Sequence, residues 1–140
     1  MRISVFRILF FLIAFPFFSM AQHQLTISVN GVPSSKGSIN VGVYNTADGF
    51  LKPESIFSGK KEKAQKGTTT IVLEQLPTGT YALALYHDEN DNDELDTNLL
   101  GIPKEALGFS KGKLKTFGPP DYDECVFKVD SDTSISIPLK

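Results

Sequence analysis

PTGTYALALY, residues 77–86, is the stretch that decides the fold. Pro77, Thr78 and Gly79 make a turn signal, and after them Tyr81, Leu83 and Leu85 alternate with Ala82, Ala84 and Tyr86. A period of two is that of a β-strand, whose successive side chains point to opposite faces. Apolar residues on both faces read as a central strand packed on both sides. Working outward, Leu25, Ile27 and Val29 alternate with Gln24, Thr26 and Ser28, and Ile39, Val41 and Val43 alternate with Asn40, Gly42 and Tyr44. Thr68–Leu73 is β-branched and runs toward the Pro77 turn. Cys125–Val129 and Ser134–Leu139 complete six strands around the polar turn Asp130-Ser131-Asp132, and Lys113–Phe117 is a candidate seventh. Turn signals at Asn30-Gly31, Asp48-Gly49 and Pro119-Pro120 fall at the spacing of a β-sandwich. Helix signals are few: one turn at Pro53–Ser58, and a second at Pro103–Leu107, which opens on a proline suited to a first helical position. The expected fold is all-β, a single immunoglobulin-like or prealbumin-like β-sandwich of about seven strands.

The first 21 residues read as a separate segment. Arg2 and Arg7 precede an apolar run at Ile8–Phe18, and Ser19-Met20-Ala21 places small residues at the cleavage-determining positions. This is the layout of a secretory signal peptide, with cleavage expected before Gln22 and a secreted or periplasmic location as the consequence. An uncleaved N-terminal anchor is the alternative; no cysteine follows the run, which argues against a lipoprotein. Residues 22–140 then form one domain of a length that buries a working core without staples. Without Arg2 and Arg7 the formal charge moves from −2 to −4. The lone Cys125 has no partner for an intrachain disulfide, and its alternating context reads as a buried core thiol. Lys60, Lys61, Lys63 and Lys66 form a positive run without aromatics, read as a solvated loop rather than a nucleic-acid surface.

HDENDNDELDTN, residues 87–98, holds six carboxylates between Asp88 and Asp96. Like charges so close repel one another, so something must offset the cost. Set against a calcium loop, Asp88, Asn90, Asn92, Glu94 and Asp96 fall at the first, third, fifth, seventh and ninth ligand positions. The twelfth falls on Leu99, which cannot ligate, and Asp93 stands where a glycine normally makes the sharp turn. Two readings stay open: a shortened calcium loop, completed by water, a carbonyl or a distant acid such as Asp121 or Asp123, and a metal-free turn built from residues that favour turns.

Catalytic signals are sparse. His87 is the one histidine in an ordered position, and no nucleophile elbow accompanies it. One histidine and one cysteine also fall short of a hydrolytic zinc site. The expectation is therefore no enzyme, with His87 helping to fix the acidic turn by donating to a carboxylate. The alternative is a small hydrolase or isomerase using His87 with Asp88 or Asp121. Residues 108–122, GFSKGKLKTFGPPDY, combine Phe109, Phe117 and Tyr122 with prolines and glycines, and either bind a sugar or peptide or cap the sandwich. The partners that follow are an envelope protein, a peptide or a glycan.

LPTGTYALALYHDENDNDELDTNLLGIPKEALGFS at 76–110 and FGPPDYDECVF at 117–127 together resemble the bacterial exported family known as domain of unknown function 2141. That family often carries glycine where this chain has Asp91 or Asp93, and the resemblance implies no particular activity. The strand start at Leu76–Tyr81 is also similar to prealbumin-like modules of carboxypeptidase regulatory regions, some of which hold calcium in an Asp-x-Asn-x-Asp loop. The resemblance thus implies a sandwich and, by analogy of fold alone, a cation.

Overall fold

The computed structural model describes residues 21–140, so the segment read as a signal peptide lies outside the described residues except for Ala21. Among the described residues eight strands form two sheets: β1 (Gln22–Val32), β2 (Ser38–Tyr44), β3 (Ser58–Lys63), β4 (Gly67–Pro77), β5 (Gly79–Asp88), β6 (Leu107–Phe109), β7 (Phe127–Val129) and β8 (Thr133–Pro138). One sheet has the order β4-β1-β8, with β1 antiparallel to β4 and parallel to β8. The other runs β3-β2-β5-β6, and β7 joins the same edge of β5 beyond β6. The chain is an all-β sandwich. A 3₁₀ turn at Pro53–Ser55 fits the sequence expectation, and a single helical turn, α1, occupies Tyr122–Cys125.

The period-two positions become the core. Leu25, Ile27 and Val29 of β1 face Ile39, Val43 and Leu83 of the second sheet, all with no exposed surface. At roughly 1.5–3 kcal/mol for each fully buried aliphatic side chain, this interlayer is the main force holding the sheets together. β5 is packed on both sides, as its sequence demands. Tyr81, Leu83 and Leu85 enter the interlayer, while Ala82 lies under an outer cluster with Leu107, Phe109 and Cys125. Small residues at Ala82 and Ala84 leave the space that these covering segments fill.

Three expectations are corrected. Ser58–Lys63 is strand β3 rather than a loop, paired with β2 along Ser38–Val43. It sits at a sheet edge, where a row of lysines discourages pairing with another chain, so it carries no apolar alternation to reveal it. Lys113–Phe117 is not a strand: the Lys115 N–H donates to Gly118 O (3.0 Å), which makes a turn instead of a ladder. Pro103–Leu107 is not helical. Pro103 bridges Thr97, the Lys104 N–H reaches Asp96 O, and the His87 N–H donates to Ala106 O (2.8 Å), so the segment returns extended into β6. Tertiary pairing overrides a local helix start of this kind because a single helical turn has almost no stability of its own.

Candidate functional site

The β2–β5 register, with Ser38 opposite Asp88 and Tyr44 opposite Ala82, places the two candidate regions at opposite ends of the second sheet. The acidic loop leaves the Asp88 end. Gly37, at φ +62°, lets the β1–β2 loop pass directly over it, since a Cβ there would overlap the Asp88 carbonyl. Asp88 itself has no exposed surface. Its Oδ1 accepts the Asn92 N–H (3.1 Å), and its Oδ2 accepts the Asp93 N–H (2.8 Å) and the Asn40 amide (3.2 Å). A buried carboxylate needs such donors, and they are stronger when the acceptor is charged.

The remaining acids are arranged around this hub. Asn90 and Asn92 donate their side-chain amides to Asp96 (2.8 and 3.1 Å). The Glu94 N–H donates to Asn92 Oδ1 (3.0 Å), while the Glu94 side chain is exposed. Glu105 ties the loop ends together, one oxygen accepting the Glu89 N–H and the other the Asp96 N–H. Lys61, reaching across from β3, pairs with Asp93 (2.7 Å) and Asp91 (3.1 Å). The Asp93 and Asp91 carboxylates raise the Lys61 ammonium pKa, and the Ser38 hydroxyl followed by Lys61 holds the Asp91 carboxyl below its usual range. Asp91 and Asp93 take φ values of +56° and +62°, a conformation that aspartate tolerates better than most residues. Repulsion among the six acids is thus offset by backbone amides, three asparagines, the Ser38 hydroxyl and one lysine. Of the five positions in the calcium pattern, Asn90, Asn92 and Asp96 come together through their side chains, Asp88 joins them through the Asn92 backbone N–H, and Glu94 through its own backbone N–H. Among the described residues no three His, Cys, Asp or Glu side chains gather as metal ligands.

His87 has no exposed surface, and its Nε2 donates to Lys36 O (2.7 Å), which can only accept. The partner is a backbone carbonyl rather than the carboxylate expected. Nδ1 is buried without a hydrogen bond, 3.8 Å from Glu89 Oε1.

The aromatic residues are distributed unevenly. Phe109 is buried in the outer cluster, Phe117 is almost fully exposed, and Tyr122 is half-buried. Phe109 lines a small pocket with Lys111 and Lys113, and Tyr122 lines a larger cleft. With Phe50, Leu51, Pro119, Pro120, Asp121 and Asp123 it walls a groove of about 440 Å³ on the outer face. Tyr44, Phe50 and Tyr122 form a chain of edge-to-face contacts, with ring centroids 5.2 and 5.6 Å apart. Lys115 bridges Asp121 and Glu124, each at 2.8 Å, and pins the Pro119-Pro120 segment beside them. Beneath lies Cys125, whose burial pushes its thiol pKa up.

Sequence reasoning missed Asn40, Lys61 and Glu105 in the loop and Phe50 in the groove. Phe50 directly follows the Asp48-Gly49 turn, a place where an aromatic could have been flagged. The other three are remote in sequence or sat in segments read as something else.

No helix among the described residues is long and apolar enough to cross a membrane. No curated protein and no solved structure gave a match. Residues 27–136, from the second core position of β1 to the middle of β8, match the bacterial family described as "Uncharacterized protein conserved in bacteria (DUF2141)". The chain therefore belongs to the DUF2141 family.

Proposed function

We propose that this protein is an exported, non-enzymatic binding module whose recognition surface is the Phe50–Tyr122 groove and whose ligand is a short glycan. The observation that carries the reading is the groove's composition. Two aromatic rings and two prolines make apolar walls, and the exposed carboxylate of Asp123 stands ready to accept from hydroxyls beside Asp121, which Lys115 holds. Its volume falls within the ~300–1,000 Å³ typical of ligand clefts. Export is supported by the signal-like residues 1–21. The absence of catalysis is supported by His87, which is buried, bonded to a carbonyl and placed at the opposite end of the sheet from the groove.

Calcium enters this reading as the ion that the 88–96 spacing would take, with Asp88, Asn90, Asn92 and Asp96 as donors and the Glu94 carbonyl beside them. Thermal unfolding with calcium and with chelator tests that part. A rise of several degrees supports it, since an ion that binds only the folded state must stabilise it, and no shift removes it.

The groove is tested by screening residues 21–140 against an array of envelope glycans and, separately, extended peptides. Glycan binding that Tyr122→Ala and Asp123→Ala each weaken supports the reading. Peptide binding alone would change the ligand class, and binding unaffected by Tyr122→Ala would move the site elsewhere.

A further inference from the structure

Between the acidic loop and β6 the chain makes a small hairpin, residues 96–104, whose tip runs against the usual distribution of side chains. Leu99, Leu100 and Ile102 are 106%, 83% and 55% exposed. Single exposed apolar residues are ordinary, but three within four positions at one tip form a patch that calls for an occupant. The tip is also tied down. The Asn98 N–H donates to Ile102 O (2.9 Å) and the Gly101 N–H to Asn98 O (2.9 Å). Asn98 Oδ1 accepts the N–H groups of both Leu100 (2.9 Å) and Ile102 (3.0 Å). Thr97 bridges Pro103, and the Lys104 N–H closes the base on Asp96 O (2.8 Å).

We propose that this hairpin docks the protein onto a lipid bilayer by placing Leu99, Leu100 and Ile102 at the boundary between headgroups and acyl chains, and that the surface it selects carries amine headgroups without net charge, as phosphatidylethanolamine does. Three observations converge on lipid. The tip protrudes instead of forming a groove, so it suits a deformable surface. Its side chains are purely aliphatic, whereas protein hot spots draw on Trp, Tyr and Arg and under-use leucine. Its backbone donors at 98, 100, 101 and 102 are already bonded within the hairpin, which is what a segment leaving water requires. Charge selects the headgroup. Asp96 stands at the hairpin base, accepting from the Asn90 and Asn92 amides, with the exposed Glu94 just before it; Asp93 is paired with Lys61, and Lys104 is the single cation in the return strand, so the base stays net negative. That collar repels an anionic surface and accepts hydrogen bonds from the ammonium of an ethanolamine headgroup. Three side chains are fewer apolar carbons than one myristoyl chain, so the attachment is weak and reversible.

The chain has no tryptophan, so a single introduced one reports its own surroundings. Leu100→Trp is placed in residues 21–140, which contain both sheets and the core between them, and Lys52→Trp serves as the exposed control near the opposite end. Each is mixed, in chelator, with phosphatidylcholine vesicles enriched in phosphatidylethanolamine and with phosphatidylglycerol vesicles. The expected result is a blue shift in the emission of the Leu100→Trp variant with the first vesicles, a smaller one with the second, and none for the Lys52→Trp control. Unlabelled protein sediments with the first vesicles, and Leu99→Ser with Leu100→Ser lowers its partition by roughly tenfold or more at an unchanged unfolding midpoint. No blue shift at position 100, or co-sedimentation that survives the double substitution, overturns lipid docking. A shift as large on anionic vesicles overturns the headgroup selection.

Discussion

Replacing Asp88 by asparagine tests whether the acidic loop is held by one buried carboxylate. The substitution keeps the shape and turns one oxygen into a donor. Asn92 can spare its bond, because its N–H also lies 3.2 Å from Asn90 Oδ1. The new amide therefore orients its oxygen toward the Asp93 N–H, which has no second acceptor, and toward the Asn40 amide, which also reaches the Tyr86 hydroxyl (3.0 Å). Those two bonds lose their charge assistance, about 1 kcal/mol each, and the bond to Asn92 is lost outright, about another 1–1.5 kcal/mol. Relief of repulsion from exposed neighbours returns about 0.2–1 kcal/mol. The net loss is about 2–3 kcal/mol, a substantial part of the ~5–15 kcal/mol that holds a domain together. Urea unfolding of residues 21–140 at neutral pH in chelator reads this directly, with the chelator keeping any ion out of the comparison. A loss under about 0.5 kcal/mol, or a gain, would mean that like-charge repulsion outweighs the hub and that the loop is held by something else.

Three further outcomes follow from named contacts. Ser110 Oγ accepts the Leu83 N–H (2.8 Å) and donates to Cys125 O (2.6 Å) at the gap where β5 changes partner from β6 to β7, so Ser110→Ala leaves two buried backbone groups unpaired. A destabilisation of about 2–4 kcal/mol is expected in urea, and a neutral result would show that water or a shifted strand fills the gap. Cys125 is fully buried with its thiol pKa pushed up by desolvation first of all, so a thiol reagent at pH 8 should modify it only in denaturant. Rapid labelling of the native protein would contradict that packing. Asp91 has its pKa lowered, by the Ser38 hydroxyl first and Lys61 second. The folded state therefore releases this proton more readily than the unfolded chain, and the stabilisation is present at neutral pH and lost as pH falls from the ordinary carboxylate range through the folded value. Asp91 is exposed, so the effect is small; Ser38→Ala should flatten the acid limb of a stability profile, and an unchanged limb would refute the coupling.

Strand β5 was legible because its pattern is local and two-sided: alternation along Tyr81–Tyr86 both makes the strand and declares that each face is covered. β1, β2 and β8 declared themselves through the same period and β4 through its β-branched run, whereas Cys125, read as the start of a strand, is buried as expected but sits in the helical turn α1 and in the outer cluster rather than beside Phe127 and Val129. β3 was not legible, because an edge strand of lysines has no apolar face to announce it. The acidic loop was visible as a concentration of charge, and turn or cation chemistry was as far as spacing could take it.

By itself the sequence determined the all-β class, the central strand, the family and the place of the charged loop, since each rests on periodicity or on contiguous residues. Tertiary structure alone decided how that charge is tolerated. Lys61 reaches it only because β3 pairs with β2, Asn40 because its register stands beside Asp88, and Glu105 because the chain returns extended instead of coiling. It likewise separated Phe109, Phe117 and Tyr122, which lie together in sequence, into a buried ring, an exposed ring and a groove wall shared with Phe50. The physical reason is the same in both cases: hydrogen bonds and ring contacts act over a few ångströms in space, and a sandwich brings within that reach residues that lie dozens of positions apart along the chain.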